Sequence, residues 1–325
     1  MKRSRLGNEV PAMLVKQAAM GRSGGKVILV GEHSVVYGKP AIAVPVPAAS
    51  VETKTLAGRD GIDLNCVYYH GELKDGPEQI ACLKELIPTV LKKLNQAETG
   101  LALTITSNIP VERGMGSSAA VGISVVRSLY RYFGRPLDRR TLLELVGISE
   151  TCCHGSPSGL DAAAASGTCP LYFVRGKVAE PIRTAGKGVL VIADTGRKGE
   201  TRLAVTKLKK RLENHAHMRI DIEKLGKIAD AARRFLERGM VAELGRGLLE
   251  AHRVLRRIGV SHQALDRLVA AAMAGGALGA KMTGGGLGGC MIALAKDADQ
   301  AGLIANRLLR AGAVGTWIQP FSPGS

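Results

Sequence analysis

The sequence predicts an α+β protein of two domains, and three observations carry that expectation. The chain has 325 residues, longer than one typical domain. Its first part interleaves strand-length apolar runs with helical repeats. From residue 189 the order becomes strand, helices, strand, strand, helix, strand. That is the split βαβ, ferredoxin-like order with extra helices in the first crossover. The expected division is an extension over 1–22, a first domain over 23–187 and a second over 188–325.

Each element has its own local signal. "VILVG" (27–31) and "AIAVPVP" (41–47) are apolar runs of strand length, and "SVETKTLA" (50–57) alternates like a half-buried strand. Residues 78–95 read as a helix that Pro88 breaks or kinks. "LALTITS" (101–107) is a strand. Helices follow over 117–133 and 138–153, then a short alanine-rich one from Ser158 and a strand at 170–174. In the second part, strands are expected at 189–194, 279–283, 290–295 and 314–319. A long helical region runs from Thr201 to about Ala274, and a last helix covers 297–311.

Composition removes several function classes. Hydrophobic residues make up 46% of the chain, enough for a core, yet no apolar run approaches the length of a membrane span. The basic N-terminus lacks the uninterrupted apolar stretch and cleavage site of a signal peptide and reads as a soluble leader. Six scattered cysteines without a CxxC pair predict neither a zinc site nor a disulfide framework, which fits a reducing cytoplasm. The formal charge of +17 invites a nucleic-acid partner, but aromatics are only 3% and the basic residues alternate with acids on helices. No nucleic acid and no membrane is the expected partner set. The excess charge suits small anions such as nucleotides and carboxylates.

Four stretches carry chemistry. In "PVERGMGSSAA", glycines let the backbone turn and approach a ligand, and the following helix offers unpaired N–H groups. Phosphate is the usual guest of such an arrangement, and Ser117 and Ser118 could donate to it or ligate magnesium. An ordinary serine cap explains the serines equally well. In "GGKVILVGEHSVVYGKPAIAVPV", Lys26 precedes a strand and Glu32-His33 follows it; alone, these read as surface residues. In "SETCCHGSPSGLDAAAASGT", Glu150 ends one helix and Asp161 opens the next, where Ser158 and Asp161 also form a capping-box pattern. In "KMTGGGLGGCMIAL", Gly284, Gly285, Gly286, Gly288 and Gly289 far exceed what a hairpin needs, so backbone must approach a ligand or another loop there.

Together and in this order, the four stretches resemble the GHMP kinases, over about Lys26 to Ala295. The GEH after the first strand and the HGSPSGLD segment point to the branch acting on mevalonate rather than on homoserine or galactose. The resemblance implies a ribosomal-S5-like N-terminal domain, a ferredoxin-like C-terminal domain, and a site in the cleft between them. It assigns ATP to Pro110, Gly114, Met115, Gly116, Ser117, Ser118 and Ala119, and magnesium to Ser118 and Glu150. It makes Asp161 and Lys26 catalytic. It places Glu32, His33, Asp161, Thr201 and Gly285 at the substrate. Where some members carry an arginine before the threonine, this chain has Gly199, so Arg197 and Lys198 become the candidates for the substrate carboxylate. His33 could serve a substrate hydroxyl or, if protonated, that carboxylate. A cytoplasmic homodimer using ATP and magnesium completes the expectation. A phosphomevalonate kinase and a nucleic-acid-binding protein built on the S5-like domain are the competing readings.

Overall fold

The computed structural model describes residues 18–155 and 159–321. Strand β1 (Ala19–Val30) pairs antiparallel with β2 (Ala41–Ala57), followed by β3 (Ile62–Cys66), β4 (Tyr69–Glu72), helix α1 (Ala81–Lys93) and β5 (Leu101–Ser107). Helices α2 (Ser117–Tyr132), α3 (Arg139–His154) and α4 (Leu160–Ala165) precede β6 (Leu171–Phe173) and β7 (Glu180–Pro181). The first sheet has the order β4-β3-β5-β2-β6-β7, with β1 on β2.

Several local expectations change here, each for a physical reason. The two strands expected at 41–47 and 50–57 are one, because β1 pairs along both halves through a register shift at Gly24/Gly25. Pro45 is tolerated because it lies opposite Lys26, whose N–H turns to Met115 O (2.9 Å) instead. Residues 19–22, expected in an N-terminal extension, belong to β1. Pro88 sits inside α1, which runs through it while burying Leu86, Ile87, Val90 and Leu91. Tertiary burial outweighs the lost N–H bond. The capping-box reading rested on Ser158, which lies outside the described residues; α4 starts behind Gly159, in the left-handed region at φ 74°.

The second part contains β8 (Val189–Asp194), α5 (Thr201–Asn214), α6 (Arg219–Arg238), α7 (Val241–Arg257) and α8 (Gln263–Ala274). Then come β9 (Gly279–Met282), β10 (Cys290–Ala295), α9 (Ala298–Arg310) and β11 (Gly315–Pro320). The long helical region is thus four helices. Gly239 (φ 68°) closes α6 in the left-handed conformation that glycine adopts freely. The four-stranded antiparallel sheet has the order β11-β8-β10-β9, the ferredoxin-like arrangement.

Strand β8 is buried on both faces, and the period of two divides its residues. Val189, Val191 and Ala193 pack among the C-terminal helices. Leu190 and Ile192 join Val27, Leu29 and the first sheet's core instead. The two sheets therefore meet across continuous apolar packing. Cys82 in α1 and Cys153 in α3 form a disulfide, correcting the expectation of none. Their separation of 71 residues hid the pairing, which exists because α1 and α3 pack side by side. No helix among the described residues is long and apolar enough to cross a membrane.

Candidate active site

The register shift in β1 brings Lys26 beneath the glycine-rich loop before α2. Lys26 is buried, and its Nζ donates to Asp161 Oδ1 at 2.9 Å. Asp161 occupies the first turn of α4 and is about 41% exposed, so the pair has one face towards solvent. A Cβ on Gly116 would lie 2.9 Å from Lys26 Cγ, so only glycine lets this loop close over the lysine stem. Gly116 itself, at φ 71°, is the residue preceding α2, and no side chain caps that helix. The serine-cap alternative therefore does not hold: the capping position is a glycine, and among the described residues no side chain accepts from the first-turn amides of α2. Met115 and Ala119 are buried and anchor the loop, while Pro110, Gly114, Ser117 and Ser118 are partly exposed along it. Ser118 Oγ donates to Glu150 Oε1 (2.7 Å), joining α2 to α3 beside the open helix end.

A second group of residues lies against the loop between β9 and β10. His33 Nε2 bonds Gly285 O at 2.9 Å. A carbonyl only accepts, so Nε2 is the donor and Nδ1 is left as an acceptor; it is buried with no partner among the described residues. A Cβ on Gly285 would meet Thr201 Oγ1 at 2.1 Å, so Thr201, at the start of α5, faces this backbone directly. The two groups meet where Gly114 approaches Gly284: a Cβ on Gly114 would lie 3.5 Å from Gly284 Cα. Thr283 Oγ1 ties the loop to β1 by accepting from Ile28 N and donating to Ile28 O, each at 2.9 Å.

Three positions missed by sequence reasoning hold this frame. Lys281 in β9 is fully buried and ion-paired with Glu32, which is itself buried and has one carboxylate oxygen without a partner among the described residues. Burial pushes the Glu32 carboxyl up and the Lys281 ammonium down, and each charge partly restores the other. The only sequence signal was a lysine within an apolar strand, "GAKM". Arg113, in the phosphate-type loop, reaches Asp194 at the end of β8 (3.2 Å) and Gly196 O (3.0 Å). With Gly199 N donating to Glu112 O (2.9 Å), this docks the loop onto the second sheet.

Not all candidates converge. The Arg197 side chain is exposed and lines a groove with Arg256, His262 and Arg267. Lys198 pairs with Glu112 at the surface. Burial pushes His33 down to about 4, so at neutral pH it is uncharged, and its role as a cation for a carboxylate is withdrawn.

His252, buried beside Asp266, is likewise pushed down to about 4, chiefly by burial. An unfolded histidine titrates near 6.5, so below that pH the unfolded chain binds more protons than the folded one. Stability is expected to fall as pH drops from about 6.5 to about 4, with each histidine contributing roughly 2–3 kcal/mol across that window. His252→Gln should flatten this part of the profile. Urea midpoints at neutral pH and near pH 4.5 measure it; an unchanged pH dependence in the variant would refute the assignment.

The family model described as the GHMP kinases N terminal domain matches residues 81–168, and the GHMP kinases C terminal model matches residues 220–314. The mevalonate kinase of Pyrococcus furiosus is 31% identical, over 84% of this chain and 87% of its own length. That of Pyrococcus horikoshii is 33% identical over 83% of this chain and 86% of its own length. Among solved structures, L. major mevalonate kinase in complex with R-mevalonate superposes with a TM-score of 0.84 at 26% identity, over 96% of this chain and 98% of that one. A phosphomevalonate kinase from Streptococcus pneumoniae, at 16% identity and a TM-score of 0.76, shares the fold.

Proposed function

This chain belongs to the GHMP kinase family, and we infer from that premise that it transfers the γ-phosphoryl group of ATP to the primary hydroxyl of mevalonate, giving 5-phosphomevalonate and ADP. The observation that carries the residue roles is the Lys26–Asp161 pair lying beside a glycine loop whose helix end has no side-chain cap. Phosphoryl transfer demands positioning and charge neutralisation more than covalent chemistry. In this reading the loop 110–119 and the first-turn amides of α2 hold the ATP phosphates. Such a helix terminus contributes only about 0.3–1 kcal/mol when exposed and up to ~2 when partly buried. Alignment and Asp161 must therefore do most of the work. Asp161 orients the hydroxyl and accepts its proton late, and Lys26 offsets the negative charge that develops.

Ser118 and Glu150 fit a magnesium ion. They present oxygen donors 2.7 Å apart beside the phosphate position, and magnesium typically takes one or two protein groups plus phosphate oxygens. The ion would neutralise phosphate charge. Ser118→Ala and Glu150→Gln are both expected to raise the magnesium concentration for half-maximal rate at saturating ATP. A magnesium titration unaltered in both variants would remove them from the metal site.

On the acceptor side, His33 Nδ1 takes the tertiary hydroxyl of mevalonate. Thr201 and the amides at the start of α5, which also lacks a side-chain cap, take the carboxylate. His33→Ala should raise the KM for mevalonate about tenfold and leave that for ATP nearly unchanged, as expected for one lost hydrogen bond. Arg197→Ala should leave both within about twofold, because its side chain lines a separate groove. Steady-state kinetics with each substrate varied decides; a tenfold mevalonate effect at Arg197 would return the carboxylate to that residue.

ATP consumption with mevalonate, with phosphomevalonate and without acceptor tests the activity itself. Turnover only with phosphomevalonate would replace this reading. The same family reading gives a cytoplasmic homodimer, the dimer being testable by light scattering on the purified chain.

A further inference from the structure

A cavity of about 560 Å³ lies where α2 ends and α3 begins, at the other ends of these helices from Ser118 and Glu150. Arg127, Arg131, Arg135 and Arg139 line it, against one carboxylate, Asp138. Asp138 is already engaged: it accepts from Thr141 N and Thr141 Oγ1, both at 2.8 Å, as the cap of α3. None of the four guanidinium groups ion-pairs with a carboxylate among the described residues. Instead, backbone carbonyls hold three of them. Arg127 donates to Arg22 O (2.7 Å) and Ser166 O (3.1 Å), Arg131 to Met20 O (2.6 Å) and Arg139 to Ala163 O (3.1 Å). Arg135 makes no side-chain hydrogen bond among the described residues.

This is a costly way to arrange charge. Burial, then Arg139 and Arg131, pull the Arg127 guanidinium below its ordinary value, so the cluster repels itself. The dipole of α2 favours a cation in its last turn, but that accounts for Arg131 alone. Carbonyl acceptors fix the forks in place while leaving their positive charge uncancelled. Fixed, unpaired guanidinium forks around a pre-formed cavity recognise phosphate oxygens. The volume suits a small molecule rather than a duplex.

We propose that this cavity is a second anion site, distinct from the ATP loop, for a small soluble molecule carrying two or more phosphate charges. Arg127 and Arg131 tie α2 to β1, and Arg127 and Arg139 hold the end of α4, so the cluster joins the three elements bearing Ser118, Lys26 and Asp161, and an occupant would brace them.

Calorimetric titration of the full chain with pyrophosphate tests this. Two binding events per chain are expected, one at the ATP loop and one at the cavity. Arg135→Gln should weaken only the second, by about tenfold, the loss typical of one charge-assisted contact. Arg131→Gln with Arg135→Gln should abolish it with the KM for ATP unchanged. Because Arg135 makes no side-chain hydrogen bond among the described residues, the single variant keeps the test valid if the double one folds poorly. Repeating the titration with glycerol 3-phosphate separates sources: tighter pyrophosphate binding supports an inorganic ligand at the site, and tighter ester binding supports a phosphorylated metabolite there. A single binding event in the wild-type chain, or a second event of wild-type strength in Arg135→Gln, would overturn the proposal. Displacement of pyrophosphate from the second site by a short DNA duplex at equal phosphate concentration would also overturn it, in favour of nucleic acid.

Discussion

Asp161→Asn is expected to lower kcat roughly a thousand-fold, within the range of general acid–base contributions, while the protein stays folded. Asparagine keeps the shape and can still accept a hydrogen bond, but it cannot take a proton from the acceptor hydroxyl. It also leaves the buried Lys26 ammonium without its anionic partner. Because Asp161 is about 41% exposed, solvent screens much of that loss, and the stability cost should stay near 1 kcal/mol. Turnover under saturating substrates, beside a thermal melt, measures both effects. A well-folded Asn variant that turns over at the wild-type rate would take Asp161 out of the mechanism.

Lys281→Met should be the most destabilising single change at the site, by roughly 3–5 kcal/mol, because it strands the Glu32 carboxylate in the core. Both partners are buried, and one oxygen of Glu32 already lacks a donor among the described residues. Combining Lys281→Met with Glu32→Gln should recover much of the loss, since no buried charge remains. Urea unfolding of wild-type, single and double variants measures this. A single variant within about 1 kcal/mol of wild type would show that the pair contributes little. In the recovered double variant the mevalonate KM should rise, since Glu32 directly precedes His33 and the pair anchors that turn to β9.

What the chain reveals without its structure follows the range of the forces involved. Helix and strand periods, the glycine-rich turns and the order of elements in the second half depend on neighbours within a few residues. The boundaries of β5, α2, α3, β8, β10 and α9 accordingly fall within a residue or two of expectation. The four motifs are contiguous, so Lys26, Ser118, Glu150 and Asp161 could be singled out from the family resemblance that those motifs carry.

Tertiary structure decided whatever depends on residues far apart in sequence. Lys26 and Asp161, 135 positions apart, meet because β1 and α4 pack together within the first part of the chain and a shift in β1 turns Lys26 towards the loop before α2. Lys281 looked like one strand residue among many until β9 placed it beside Glu32. His33 looked capable of carrying charge until burial made it neutral, with the carbonyl at Nε2 leaving Nδ1 as the acceptor. Arg197 and Lys198 had the right charge and the right segment, but their side chains turn to a groove and to Glu112. Cys82 and Cys153 met only because α1 and α3 pack together. Local sequence determines which backbone shape each segment prefers and which chemistry it carries. Desolvation and charge pairing depend on which distant segments exclude water from one another, and that is settled only when the two sheets close on their shared core.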